Sequence, residues 1–177
     1  MKTKIKYYKG DITELAKDEV FVFGANIDGF HGAGSAGYAS FNKMGNHWRE
    51  HDYASKPKGW QGKWNRKGLL GCQKGTEGLS YALVTVTKPG AKKSIKPQRM
   101  IQNISNMYDA AKKNSDKTFL VAQGSKGGLN GYTGEEMADF FASAGPIPEN
   151  VVFQKAFAEM VQIHFAEIKQ QKFYYNE

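Results

Sequence analysis

The apolar residues of this chain fall into short β-branched and aromatic runs, separated by stretches with helical spacing. Lys4 to Tyr8, ending IKYY, predicts a first strand. Val20 to Phe23 (VFVF) is a continuous apolar run, as expected of a strand buried on both faces of a parallel sheet. Tyr81 to Val86 (YALVTV), Thr118 to Ala122 (TFLVA) and Val151 to Phe153 predict further strands. Between them, Gln98 to Asn114 predicts the clearest helix. Ile101, Ile104, Tyr108 and Ala111 form one stripe, and Lys112 and Lys113 occupy the last turn. Thr133 followed by Glu136 is a capping box that opens another helix. Ala156 to about Lys172 predicts a long terminal helix, and Ser35 to about Met44 a shorter one. Gly45 to Gly78 has no periodicity.

Strands alternating with helices predict an α/β fold with helices on both faces of the sheet. Two glycine-rich loops, 29 to 37 and 124 to 131, leave the carboxyl ends of predicted strands. Ligands bind at that edge of α/β sheets, so the two loops are expected to share a site. No internal repeat or domain boundary interrupts the chain, which reads as one domain over 1–177.

Composition narrows the class. A chain of 177 residues with 40% hydrophobic and 13% aromatic residues can bury a core, which excludes a disordered class. One cysteine, Cys72, excludes an internal disulfide framework and most thiolate metal sites. No run is long enough to span a bilayer, and MKTKIKYYKGD lacks the apolar core of a signal peptide. A cytoplasmic protein without a membrane partner is expected. The net charge of +8 favours acidic partners such as nucleotides, nucleic acids or anionic surfaces, without choosing among them.

Candidate chemistry concentrates between Gly10 and Gly37: GDIT, a short gap, then VFVFGANIDGFHGAGSAG. A strand that enters a glycine-rich loop and then a helix presents bare backbone N–H groups to an anion. Gly32, Gly34 and Gly37 spell GxGxxG, yet a dinucleotide fingerprint needs its first glycine directly after the strand. Here several residues intervene after Phe23, and HWREHDYASKPKG supplies no second strand ending in an acid.

In order along the chain, three motifs resemble the macrodomain, the ADP-ribose-binding α/β module. The first is Gly10-Asp11-Ile12-Thr13. The second is Gly24-Ala25-Asn26 at a strand end, followed by IDGF and HGAGSAGYA. His31 immediately before the glycines, with Ala36 and Gly37 after them, is similar to the viral-type branch. The third is Gly124 to Tyr132 (GSKGGLNGY), which resembles the family's late phosphate loop with one extra residue. GLSYALVTVTK, at 78 to 88, is similar to the central strand of a phage-encoded macro-like branch. The resemblance covers about three quarters of the chain and implies a three-layer α/β/α domain with a mixed central sheet.

The resemblance also implies roles. Asp11 would accept a hydrogen bond from the adenine amine, with the Ile12 N–H on a ring nitrogen. Asn26 would hold the distal ribose. Gly32, Ala33, Gly34 and Gly37 would line that ribose and its phosphate. Gly124, Ser125, Lys126, Gly127, Gly128 and Leu129 would wrap the diphosphate, flanked by Tyr132. Each has a plainer alternative: Asp11 capping a turn, Asn26 bridging turn backbone, Tyr132 packing against the helix that starts at Thr133. His31 either acts as a general base or closes its loop by hydrogen bonding. Many hydrolytic macrodomains carry an acid where this chain has Ala36, and Asp28 lies on the wrong side of the glycines.

A second departure is a basic, aromatic insertion at about 46 to 78. It carries Lys56, Lys58, Lys63, Arg66, Lys67 and Lys74, with Trp60 and Trp64. Interleaved cations and aromatics suit single-stranded nucleic acid, a lid over a phosphorylated ligand, or a solvated loop with anchored tryptophans. His47 and His51 have metal-ligand spacing if helical, but no third ligand completes a set, so neither metal nor cofactor is expected. Three functions stay open. The first is binding of ADP-ribose or a related nucleotide, with or without slow hydrolysis. The second is a phosphatase or ADP-ribosyl hydrolase using His31 and Asn26. The third is nucleic-acid binding through the basic insertion.

Overall fold

The computed structural model describes residues 5–12, 14–27, 46–47, 78–88, 90–122 and 128–175. Within them the strands are β1 (Lys6–Tyr8), β2 (Glu19–Asn26), β3 (Asn46–His47), β4 (Leu79–Val86), β5 (Thr118–Val121) and β6 (Val151–Gln154). The helices are α1 (Pro97–Lys113), α2 (Gly134–Ser143) and α3 (Lys155–Tyr175). None of these helices is long and apolar enough to cross a membrane.

The strands form one sheet in the order β1-β6-β5-β2-β4-β3. Every described strand pairing is parallel. The expected mixed sheet is therefore corrected to an all-parallel one among the described residues. β3 is a further difference. Two residues carry no readable period, so Asn46 and His47 give no strand signal, yet they pair with Leu79 and Ser80. His47 lies in a strand, which removes the helical premise of its spacing to His51.

β2 explains the burial on both faces. Its alternate residues split between two apolar clusters, as a period of two requires. Val20 and Val22 face a core with Phe119, Val121, Val151 and Phe153, and all three helices pack there. α1 brings Met100, Ile104 and Met107, α2 brings Met137 and Phe141, and α3 brings Phe157 and Val161. Phe141, Phe153 and Phe157 meet in a T-shaped and tilted aromatic cluster with centroids 5.3 to 5.9 Å apart. Phe21, Phe23 and Ala25 face the other way, with Leu15, Ala82 and Leu120, and Tyr8 and Ile12 pack against them. Phe21 and Phe23 are as buried as the opposite face, so the sheet is covered on both sides. The helix expected at Ser35 to Met44 lies outside the described residues.

Local sequence accounts for the helix boundaries. α1 starts with Pro97 at its first turn, where a missing N–H costs nothing, and ends on Lys112 and Lys113, which oppose the negative end of its dipole. α2 opens with the complete capping box: Thr133 Oγ1 accepts from the Glu136 N–H, and the Glu136 carboxylate accepts from the Thr133 N–H, both at 3.1 Å. The cap and the neighbouring Lys93 hold the Glu136 carboxyl below its ordinary range, the Thr133 N–H first among the causes.

Candidate functional site

Because the strands run parallel, Tyr8, Asn26, Val86, Val121 and Gln154 all end on one edge of the sheet. β2 and β5 are neighbours there, but their chains leave in opposite directions. Among the described residues, the next strand after β5 is β6, on one side, and the next after β2 is β3, on the other. This reversal is the topological switch point at which open α/β sheets bind ligands. The glycine-rich loops read from sequence follow these two strands, so they leave adjacent points on the same edge.

β2 runs past its neighbour. Val22 pairs with Val121 at the end of β5, while Phe23 to Asn26 continue, among the described residues, against β4. The β2 register slips between Ala25 and Asn26, where Val84 is followed by Val86 as partner. Thr85 is the extra residue of this bulge, a device that re-aims side chains next to sites. Asn103 on α1 donates to the Val84 carbonyl at 3.0 Å and keeps the bulged backbone satisfied. Thr85 is buried, and its hydroxyl accepts from Asn130 Nδ2 at 2.8 Å.

Asn130 belongs to the second loop. Leu129 and Tyr132 exchange both backbone hydrogen bonds at 3.0 Å, closing a two-residue turn over Asn130 (φ 53°) and Gly131 (φ 90°). Positive φ at both central positions is the mark of a type I′ turn, and Asn-Gly is its preferred sequence. A side chain at Gly131 would stand 2.9 Å from Lys92 Cβ, so the turn sits directly on the β4–α1 loop. The Lys93 N–H donates to the Asn130 carbonyl at 2.7 Å. Leu129 lies over Gly24, where an added Cβ would be 3.0 Å from Leu129 Cδ2 and from Thr85 Oγ1. The absence of a side chain at Gly24 is what lets the second loop close onto β2.

Tyr132 anchors this loop. It is buried, its hydroxyl donates to the Ile95 carbonyl at 2.7 Å, and its ring meets Phe140 edge-on at 5.0 Å. Desolvation by burial, then the Glu136 carboxylate, raise its phenol. The packing alternative raised for Tyr132 is the contact the fold makes. Leu129 likewise commits its N–H to the Tyr132 carbonyl, so it offers the site a side chain instead of a backbone donor.

The first motif lies at the far end of the same edge. Gly10 takes φ 74° where the chain turns off β1, with open space around it, so backbone conformation alone accounts for glycine there. Asp11 follows, exposed, and Ile12 packs down against the Phe21 and Phe23 face. Tyr8 connects this corner to the centre: its hydroxyl donates to the Val121 carbonyl at 2.7 Å. Burial and the Asp11 carboxylate push the Tyr8 phenol up to about 12. Asn26 is buried at the end of β2. β1 and β2 are three strand spacings apart, about 14 Å.

The fold thus brings Asp11, Ile12, Asn26, Gly128, Leu129 and Tyr132 to one edge. His31, Gly32, Ala33, Gly34, Gly37, Gly124, Ser125, Lys126 and Gly127 lie outside the described residues, as do Thr13, His51, Cys72 and 48–77 of the basic insertion. Sequence reasoning did not single out Thr85, Asn130 or the lysines of the β4–α1 loop. The Asn-Gly pair was the available signal for the turn. His164 is partly exposed, with Nε2 2.8 Å from Glu135 Oε2 across the α2–α3 contact. Among the described residues no cluster of His, Cys, Asp and Glu is arranged to hold a metal. Comparison of the chain with protein-family models, curated proteins and solved structures returns no match.

Proposed function

We propose that this chain is a macro-like domain that binds ADP-ribose, or a closely related nucleotide, along the carboxyl edge of its sheet. One observation carries the reading. The GDIT corner and Asn26 end strands about 14 Å apart on one edge, and the loop that follows β5 starts between them. That span is too long for a lone base or sugar. It suits a ligand with a base at one end, a sugar at the other and a diphosphate between.

In this reading the Asp11 carboxylate accepts from the adenine amine, and the Ile12 N–H meets a ring nitrogen. Gly124 to Gly128 supply backbone N–H groups to the diphosphate, and Asn26 holds the distal ribose. Tyr132, Asn130 and Thr85 are positioning residues that fix the second loop. Calorimetric titration with ADP-ribose tests this, run beside Asp11→Ala. Losing a hydrogen bond to a charged acceptor costs about 1.5–3 kcal/mol, a weakening of roughly ten- to a hundredfold. Equal affinity in the variant would refute the assignment of Asp11.

A second reading adds hydrolysis of a phosphate or ADP-ribosyl group at the same edge, favoured by a buried Asn26 at the switch point. His31→Ala separates the two: a binding module keeps its affinity, whereas an enzyme loses turnover first.

A further inference from the structure

We propose that the loop between β4 and α1 is a nucleic-acid contact, in which Lys88, Lys92 and Lys96 meet backbone phosphates passing beside the switch point. These lysines lie outside the basic insertion in sequence, and the inference does not depend on the nucleotide reading above.

From Lys88 to Arg99 the chain carries five cations, Lys88, Lys92, Lys93, Lys96 and Arg99, and no acid. All five are exposed. Glu136 reaches one of them, Lys93, at 3.7 Å. The loop follows β4, the neighbour of β2, so its cations flank the edge on the Asn26 side.

Gathering like charges costs self-repulsion, and a mobile loop would relieve it by spreading. This loop is instead fixed at several points. Ser94 Oγ accepts from the Thr87 N–H at 3.0 Å, and the Ala91 N–H donates to the Lys88 carbonyl at 3.2 Å. Tyr132 holds the Ile95 carbonyl, and the Asn130 carbonyl holds the Lys93 N–H. Lys93 itself adopts φ 49°, a conformation that side chains rarely take, with its ammonium 5.6 Å from the centre of the Tyr132 ring. Cations held in place before a partner arrives reduce the ordering cost of binding it.

Spread from Lys88 to Arg99, the cations suit an anion that repeats its charge along a chain, as phosphate diesters do, and four of the five are lysines, which meet phosphate oxygens as point charges. An anionic membrane would need an apolar anchor beside the charges, but the loop's Ile95 is buried in the core.

The test is fluorescence anisotropy of a labelled oligodeoxythymidine against increasing salt, for the wild type and for K88A/K92A/K96A. Each phosphate contact contributes about 0.7 to the logarithmic salt slope on a single strand, so the triple variant should flatten it by about 2 and bind weaker. The matching lysine-to-arginine triple variant should keep the slope, and both variants should unfold at the wild-type temperature. ADP-ribose titration should be unchanged by either. The proposal is overturned if the alanine variant keeps the wild-type slope while K56A/K58A/K63A loses it. It is equally overturned if wild type ignores the oligonucleotide at low salt, or binds only phosphatidylserine vesicles. Wild type that binds the oligonucleotide but not ADP-ribose would remove the nucleotide reading and leave this one standing.

Discussion

The Tyr8 hydroxyl donates to the Val121 carbonyl at 2.7 Å, across 113 residues of sequence and past the intervening strand β6. This bond ties the end of the strand that presents Asp11 to the end of the strand that launches the second glycine-rich loop. The two halves of the proposed nucleotide site are thereby held in register by a side chain that need not touch ligand.

Tyr8→Phe should therefore loosen the edge without disturbing the core. Removing the hydroxyl leaves a half-buried carbonyl unpartnered, a loss of about 1–2 kcal/mol. Urea unfolding reads that loss, and ADP-ribose affinity should fall a few-fold alongside it. Unchanged stability would mean that the bond contributes nothing in solution.

Stability should fall on the alkaline side. Tyr8 is pushed up to about 12 by burial and Asp11; Tyr81, by burial and then Asp109, and Tyr108, by burial, are raised as well. Unfolded tyrosines titrate near 10, so above about pH 10 the unfolded chain releases protons that the native state keeps. The stability these phenols contribute is complete below about pH 10 and is lost as pH rises through their native values. The urea midpoint followed through that window should drop, less steeply in Tyr8→Phe. A flat profile would contradict the burial of these hydroxyls.

Tyr132 separates packing from hydrogen bonding. Tyr132→Phe keeps the edge-on contact with Phe140 and loses only the bond to Ile95, for about 1 kcal/mol. Tyr132→Ala empties a buried site and should cost about 3–5 kcal/mol. Thermal and urea unfolding distinguish them; equal losses would show that the hydroxyl, and not the ring, holds the loop.

Gly24→Ala probes the closure of the second loop on β2. The new methyl must displace Leu129 Cδ2 or the Thr85 hydroxyl, each 3.0 Å away, and overpacking of this kind costs about 1–3 kcal/mol. Because the displaced atoms belong to the loop and the bulge, ADP-ribose binding should weaken more than stability does. Affinity retained at wild-type level would place the ligand away from this corner.

Much of the fold was legible because it is local. VFVF reads as a doubly buried strand because Val20 and Val22 on one face and Phe21 and Phe23 on the other all need apolar neighbours. Thr133 and Glu136 read as a cap because the partners lie three residues apart. Part of the setting was legible in outline: β2 and β5, the strands that precede the two glycine-rich stretches, are neighbours that end on one edge, while 29–37 and 124–127 themselves lie outside the described residues. Strand order was not readable, since nothing in residues 19–26 names 118–121 and 79–86 as neighbours. β3 was missed because two residues hold no period. The Thr85–Asn130 bond was missed because a bulge is a mismatch between strands, visible only once they are paired. The lysines of 88–99 were hidden in a whole-chain charge that does not say which cations share a surface.

The most direct measurement is a calorimetric comparison of ADP-ribose, AMP and ribose 5-phosphate on wild type and Asp11→Ala. If one ligand spans the edge from Asp11 to Asn26, ADP-ribose binds far more tightly than either fragment. Asp11→Ala then weakens ADP-ribose and AMP and leaves ribose 5-phosphate unaffected. AMP binding as tightly as ADP-ribose, or no binding of any of the three by wild type, would contradict the account.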